Sequence, residues 1–117
     1  MPFSQIDYSK TCIYKLVCRD LEIRECYVGS TTDMNKRKQG HKKACFTDPS
    51  RCVYAFINEH GGWENWDMVL IEAYPCSNSL ESHQRERFHI ERLKASLNKQ
   101  VRTREKSEWY GSTGKRN

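Results

Sequence analysis

The sequence predicts a single α+β domain with three strands and three helices in the order β-β-α-α-β-α. Three observations support this fold class. The chain has 117 residues, which is the size of one ordinary domain. Its hydrophobic content of 37% and charged content of 30% are typical of a folded globular protein. Its strand-forming segments are short, and helical segments lie between and after them.

The first two predicted elements are strands that pair as a hairpin. Residues 12–18, Cys-Ile-Tyr-Lys-Leu-Val-Cys, are rich in strand-forming residues, and residues 24–30 make a second such segment. Residues 19–22, which follow the first segment, have the composition of a turn. Because the link between the two strands is short, we expect them to be antiparallel.

Two helices and a third strand follow the hairpin. Asp33 and the two threonines before it are N-cap candidates for a helix over about residues 33–45. Residues 53–59 predict a second, short helix that Gly61 and Gly62 stop. Residues 66–74 are again rich in strand-forming residues. They predict a third strand, buried on both faces and ended by Pro75.

The last predicted helix runs from about residue 79 to residue 95. Asn78, Ser79 and Glu81 provide a start signal related to the capping box. Asn98 lies just past the end of this helix. We therefore expect one domain over residues 1–98 with its core at about 12–98, followed by a basic and partly flexible C-terminal extension at residues 99–117.

The positive charge of the chain is concentrated in two segments. The net charge is +5, yet no Lys or Arg lies between Cys52 and Gln84. Such asymmetry is consistent with a basic face that binds a nucleic acid, and a solubilising surface is the alternative. The basic candidates for contact with DNA are Lys36, Arg37, Lys38, Lys42, Lys43, Arg85, Lys99, Arg102 and Arg104.

Six cysteines raise the question of disulfides or zinc. The N-terminus has no secretory signal pattern, and the apolar segments are too short to span a bilayer. No Cys-x-x-Cys pair is present. We therefore expect reduced thiols in an intracellular compartment, the cytosol or nucleus, with a structural zinc site as the alternative. The sequence indicates no membrane contact and no obligate protein partner.

The first helix carries polar residues on the stripe that should face the core. Arg37 and His41 share this stripe with Met34 and with Ala44 or Cys45. Burying an unpaired charge is costly, so Arg37 and His41 each need a partner. The alternative is a stripe that frays and leaves both side chains in solvent.

The last helix shows the same anomaly. Glu86 shares a stripe with Ile90, Leu93 and Leu97. A carboxylate is the expected ligand for a hard cation such as Mg²⁺, and an ion pair with an adjacent arginine is the alternative. Two helices with the same deviation suggest that their polar residues face each other at a functional site.

Tyr14 and Tyr27 lie on neighbouring predicted strands, and core packing would explain either one alone. The ordered set, however, resembles the GIY-YIG nuclease domain over about residues 12–98. Cys12 stands where the family's first motif has Gly, and Val28 stands where its second motif has Ile. The set comprises Cys12-Ile13-Tyr14, Tyr27-Val28-Gly29, Arg37-x-x-x-His41, Glu86 and, twelve positions later, Asn98.

The resemblance implies a three-stranded antiparallel sheet flanked by helices. It also implies cleavage of DNA with a single Mg²⁺, for which Mn²⁺ can substitute. In the implied roles, Glu86 holds the metal, Tyr14 and Tyr27 lie beside the scissile phosphate, Arg37 binds the phosphate, His41 assists near it, and Asn98 supports the site by hydrogen bonding.

The residues leave two questions about function open. A tyrosine with a pKa of about 10 is a poor base at neutral pH unless a nearby positive charge favours phenolate. His41 could instead take or relay the proton, because its reference pKa is near neutrality. A DNA-binding module on the same scaffold that does not cleave is the alternative function.

The remaining aromatic and imidazole groups have simpler interpretations. The Trp-rich turn at residues 61–66 is expected to pack and to end a helix, with an aromatic contact to a nucleic-acid base as the alternative. His60, His83 and His89 show no metal-ligand spacing, and we expect surface or structural roles for them.

Overall fold

A computed structural model describes residues 6–98 of the chain. Its three strands form one antiparallel sheet with β1 in the centre, in the order β2-β1-β3. The predicted order β-β-α-α-β-α and the three-stranded antiparallel sheet are both confirmed. The elements are β1 (Cys12–Cys18), β2 (Cys26–Thr31), α1 (Met34–Thr47), α2 (Cys52–Glu59), β3 (Trp66–Ala73) and α3 (Ser79–Leu93), with 3-10 turns at Tyr8–Lys10, Trp63–Asn65 and Ser96–Asn98.

The helix ends follow the predicted capping residues. The Asp33 side chain accepts a hydrogen bond from the backbone N–H of Lys36 at the start of α1. The Asn78 side chain accepts from the N–H of Glu81 at the start of α3. These bonds satisfy backbone donors that have no partner inside the helix. After α2 the chain turns through Gly61, whose φ of +98° is accessible to glycine at little cost.

The two faces of the sheet pack against different helices. On one face, Tyr14 and Leu16 of β1 join the cluster that contains buried residues of α1 and α2. On the other face, Ile13 of β1 and Val28 of β2 pack against residues from α3 and the segment after it. The alternation follows from the two-residue period of a strand. It gives the domain two apolar layers with the sheet between them.

Burial of β3 differs from the sequence-based expectation. A strand buried on both faces was predicted, and this was wrong. Trp66 is buried, but Val69 and Leu70 are 38% and 51% exposed. The reason is topological, because β3 is an edge strand and α3 packs against β2, the opposite edge of the sheet. Strand-forming residues identify a strand without revealing its position in the sheet.

All six cysteines lie in the described part of the chain and carry free thiols. Cys18, Cys26 and Cys45 are buried, where a thiol packs as a small apolar group. Within residues 6–98, no helix combines the length and apolar character needed to cross a membrane. The predicted C-terminal extension, with Lys99, Arg102 and Arg104, lies outside the residues that the structure describes.

Candidate active site

Tyr14 and His41 form the buried centre of the candidate site. Tyr14 projects from β1 and His41 from α1, and both side chains are 0% exposed. The Tyr14 Oη and His41 Nε2 atoms are 2.7 Å apart. One helical turn earlier, Arg37 donates a hydrogen bond from Nε to Tyr14 Oη at 3.3 Å. The polar stripe of α1 therefore faces the sheet, and the alternative of a frayed stripe is wrong.

Gly29 makes room for the Tyr14 phenol. It lies opposite Tyr14 in the β1–β2 register. A Cβ atom at this position would lie 2.6 Å from Tyr14 Cζ and closer still to the hydroxyl, a separation that real Cβ atoms do not adopt. The glycine of the second motif is thus required by the position of the first motif's tyrosine.

Tyr54 completes a hydrogen-bonded chain through the imidazole. Its hydroxyl is 2.8 Å from His41 Nδ1, so a tyrosine lies at each ring nitrogen. Tyr54 is 3% exposed and projects from α2. It is absent from the sequence-based candidates. The signal that could have found it is a tyrosine on the buried face of α2 beside Val53 and Ile57, since a buried phenol needs a hydrogen-bond partner.

The network assigns the tautomer of His41. Arginine has no acceptor, so the Tyr14 oxygen accepts from Arg37. The fully buried Tyr14 hydroxyl then donates its own proton to His41 Nε2. The ring proton consequently lies on Nδ1 and is donated to Tyr54. The chain of donors runs from Arg37 through Tyr14 and His41 to Tyr54.

The two buried side chains at the centre of this hydrogen-bond network, His41 and Tyr14, are uncharged at physiological pH. Burial, aided by the positive charges of Arg37 and Arg51, lowers the pKa of His41 from 6.5 to about 3. Burial also raises the pKa of Tyr14, while the Arg37 hydrogen bond opposes that shift in part. His41 is therefore an uncharged hydrogen-bonding group in the folded state.

The depressed pKa of His41 predicts a loss of stability in acid. Below the unfolded pKa of 6.5 the unfolded chain binds a proton that the folded chain resists down to about pH 3. The free energy of unfolding should fall across this window as the pH falls. Urea midpoints measured at several pH values would test this, and His41→Gln should flatten the profile. The same substitution at exposed His83 is the control, and parallel profiles for the parent and His41→Gln would contradict the assignment.

Tyr27 and Trp63 enclose the imidazole from two further sides. The Tyr27 ring meets the His41 ring edge-on, with centroids 5.7 Å apart. The Trp63 ring stacks on His41 at 6.1 Å. Among the three tyrosines around His41, Tyr27 is the one that is partly exposed, whereas Tyr14 and Tyr54 are buried. Of the two motif tyrosines, Tyr14 and Tyr27, Tyr27 is thus the accessible one.

Glu86 projects from α3, on the face of the sheet opposite α1, and reaches β2 at the residue after Gly29. Ser30, which follows Gly29 in β2, donates a hydrogen bond from Oγ to Glu86 Oε1 at 2.8 Å. The carboxylate lies close enough to Tyr14 that its charge contributes to the raised pKa of that phenol, after burial and Tyr27. Arg85 pairs with Glu72 and Arg87 with Glu91. The alternative of an ion pair between Glu86 and an adjacent arginine is therefore wrong.

Glu86 offers a carboxylate, a type of ligand that a hard cation accepts. Glu86 is partly buried, and the hydroxyl oxygen of Ser30 lies beside its carboxylate. Mg²⁺ prefers such donors, needs only one or two carboxylates, and retains several waters for contact with phosphate. In the described residues, no three side chains of His, Cys, Asp or Glu come together in a way that could hold a metal ion.

Asn98 ties the end of the described chain to β2. Its Oδ1 accepts a hydrogen bond from the backbone N–H of Val28 at 2.7 Å, and its Nδ2 donates to the Val28 carbonyl at 2.8 Å. Val28 lies between Tyr27 and Gly29, two residues that shape the site. The paired bonds fix this part of β2, so Asn98 acts on the site through the backbone.

The basic candidates for DNA contact fall into two groups, one paired with a carboxylate and the other exposed to solvent. Arg85 is bound to Glu72, and its guanidinium covers the Phe88 ring at 4.5 Å. This pairing is the main reason that the pKa of Glu72 is lowered to about 2. The candidates of α1 outside the buried stripe are instead exposed to solvent: Lys36, Lys38, Lys42 and Lys43.

The other three histidines have the surface or structural roles that were predicted. His89 is buried and hydrogen-bonds through Nε2 to Glu72 at 2.7 Å. His60 stacks on Phe56 with ring centroids 4.0 Å apart. His83 is exposed on α3. None of the three contributes to the arrangement around Tyr14.

Comparison with known families supports the resemblance seen in the sequence. The family model described as the GIY-YIG catalytic domain matches residues 10–100 of the chain. No curated protein and no solved structure matches it. The matched segment covers every residue of the candidate site and most of the chain. The chain therefore belongs to the GIY-YIG catalytic domain family.

Proposed function

We propose that this chain is an endonuclease that uses a divalent metal ion to hydrolyse phosphodiester bonds in DNA. Membership of the family supports nuclease activity in general. The finer proposal is supported by two contacts around β2: Tyr14, which lies over Gly29, accepts a hydrogen bond from Arg37, and Ser30, the next residue, donates one to Glu86.

Arg37 is the proposed phosphate-binding group. Its Nε is occupied by Tyr14, which fixes the plane of the guanidinium and leaves its terminal nitrogens for a ligand. A planar guanidinium can donate to two phosphate oxygens at once. The exposed lysines of α1 lie on the same helix and extend the positive charge along the path of a nucleic-acid backbone.

Glu86 is the proposed metal-binding residue, with Ser30 holding one of its oxygens in place. When bound, a divalent cation offsets the negative charge that develops on the phosphate and on the leaving oxygen. The residues present would support a single ion, Mg²⁺ or Mn²⁺, because one carboxylate serves the site and water or phosphate oxygens complete the ligand set.

Tyr27 is the proposed contact to the attacking water. His41 is 0% exposed and both its nitrogens are hydrogen-bonded to tyrosines, so it does not meet water directly. Tyr14 is equally buried. The partly exposed Tyr27 is the phenol that water can reach, and proton removal by it requires positive charge nearby. Tyr14, His41 and Tyr54 then act as a rigid support.

Cleavage of supercoiled plasmid DNA tests the proposal directly. The purified chain should nick or linearise the plasmid with Mg²⁺ or Mn²⁺ present and should lose this activity in excess EDTA. Undiminished cleavage in EDTA would contradict the metal requirement. Retarded migration of DNA on a gel, with no cleavage under any divalent metal, would instead favour the DNA-binding module that does not cleave.

A further inference from the structure

A cleft of about 470 Å³ opens beside the candidate active site, between α1 and the start of β3. Its α1 wall consists of residues spaced three, four and seven positions apart, which places them on one face of the helix. The opposite wall includes Trp63 and Glu64 of the 3-10 turn and the first residues of β3. The α1 wall is formed by Asn35, Lys38, Gln39 and Lys42.

Trp63 joins this cleft to the buried site. Its ring stacks on His41 at 6.1 Å, and His41 is bonded to Tyr14, which receives a hydrogen bond from Arg37. Trp63 is only partly buried and also lines the cleft. A DNA strand that binds Arg37 and continues past Trp63 would enter this cleft.

The chemistry of the lining suits a nucleotide. Lys38 and Lys42 are exposed cations in position to contact phosphate oxygens. Asp67 is neutralised by Arg19, whose guanidinium lies 3.0 Å from its carboxylate. Asn35 carries an amide, a type of group that hydrogen-bonds base edges. Glu64 offsets one of the two lysines, so the lining keeps a net positive charge beside the Trp63 ring, and aromatic rings in basic grooves hold unpaired bases.

From these features we infer that the cleft binds an unpaired nucleotide of DNA next to the cut site. This inference rests on the proposed nuclease function and names its substrate class. The volume of about 470 Å³ is large enough for one nucleotide, and an unpaired base can turn its face toward Trp63, whereas a base inside an intact duplex is stacked between its neighbours. The preferred substrates would therefore be DNA with a displaced or single-stranded segment at the cleavage position.

Binding in EDTA, where cleavage is suppressed, tests the cleft itself. Fluorescence anisotropy would compare a short oligothymidylate with a duplex of equal length. Replacing Lys38 and Lys42 with Ala should weaken oligothymidylate binding about tenfold more than duplex binding. The matched control replaces Lys36 and Lys43 with Ala, which removes the same charge from exposed α1 positions outside the cleft. The control should weaken both probes alike.

A neutral double variant separates cleft contacts from general electrostatics. Asn35→Ala with Gln39→Ala changes no charge, and both side chains are exposed on α1. It should weaken oligothymidylate binding several-fold without changing the salt dependence of binding, because no phosphate contact is lost. Unchanged oligothymidylate affinity in this variant and in Lys38→Ala/Lys42→Ala would overturn the inference.

Cleavage distinguishes a failure of this inference from a failure of the nuclease function. The parent should cut forked or flapped DNA faster than a matched duplex, and the Lys38→Ala/Lys42→Ala variant should lose this preference. Equal cutting of both substrates, with the Lys38→Ala/Lys42→Ala variant and its control slowed to the same extent, would contradict nucleotide binding in the cleft. The nuclease function would still be supported. If no substrate is cut, the nuclease function fails, and oligothymidylate binding then tests only whether the cleft holds an unpaired nucleotide.

Discussion

Replacing Glu86 with Gln should lower the rate of metal-dependent DNA cleavage by at least about 100-fold while the fold is retained. Gln keeps an oxygen that can accept the Ser30 hydrogen bond, so the substitution removes charge and little else. A metal that stabilises the transition state contributes several kcal/mol, and each 1.4 kcal/mol corresponds to about tenfold in rate. Single-turnover cleavage at saturating Mg²⁺ is the measurement.

The control for Glu86→Gln lies on the same helix. Glu91→Gln removes an equal charge from an exposed position of α3, where the carboxylate pairs with Arg87 at 3.8 Å. An exposed pair of this kind contributes little to stability, and we expect normal cleavage. Calorimetry with Mn²⁺ should also show weaker metal binding for Glu86→Gln alone. Full cleavage by Glu86→Gln would remove Glu86 from the proposed metal site.

Residues whose roles are set by local pattern could be predicted from the sequence. Asp33 and Asn78 were identified as caps because capping depends on residues within one helical turn. Arg37 and His41 stood out because they break an apolar stripe, and the stripe does turn inward. The elements and most of the candidate site follow from such short-range rules combined with the order of the motifs.

Other features depend on partners that no local pattern identifies. Ser30 and Glu86 are 56 residues apart, and only the packing of α3 against β2 brings them together. Tyr54 lies on an apolar helix where a phenol is an ordinary core residue until His41 is known to face it. The exposure of Leu70 depends on β3 lying at the edge of the sheet opposite the strand that α3 covers, a property of sheet order and helix packing.

Removing the hydroxyl of Tyr27 should mainly reduce activity, whereas removing the hydroxyl of Tyr14 should mainly reduce stability. Tyr27→Phe should reduce cleavage by about 10²- to 10⁴-fold, the range expected for loss of a general base, with little change in stability. Tyr14→Phe leaves His41 Nε2 and Arg37 Nε without their buried partner. It should therefore lower the free energy of unfolding by about 1–3 kcal/mol and reduce cleavage less than Tyr27→Phe.

Urea unfolding and single-turnover cleavage on the same preparations would separate the two roles. Tyr74→Phe is the matched control, because Tyr74 follows β3 and packs with the second apolar cluster rather than with His41. Loss of the Tyr74 hydroxyl should leave the rate of cleavage unchanged. If Tyr14→Phe abolished cleavage without destabilising the fold and Tyr27→Phe remained active, the attacking water would have to meet Tyr14. The buried centre would then have to open to water during catalysis, because Tyr14 is 0% exposed in the closed domain.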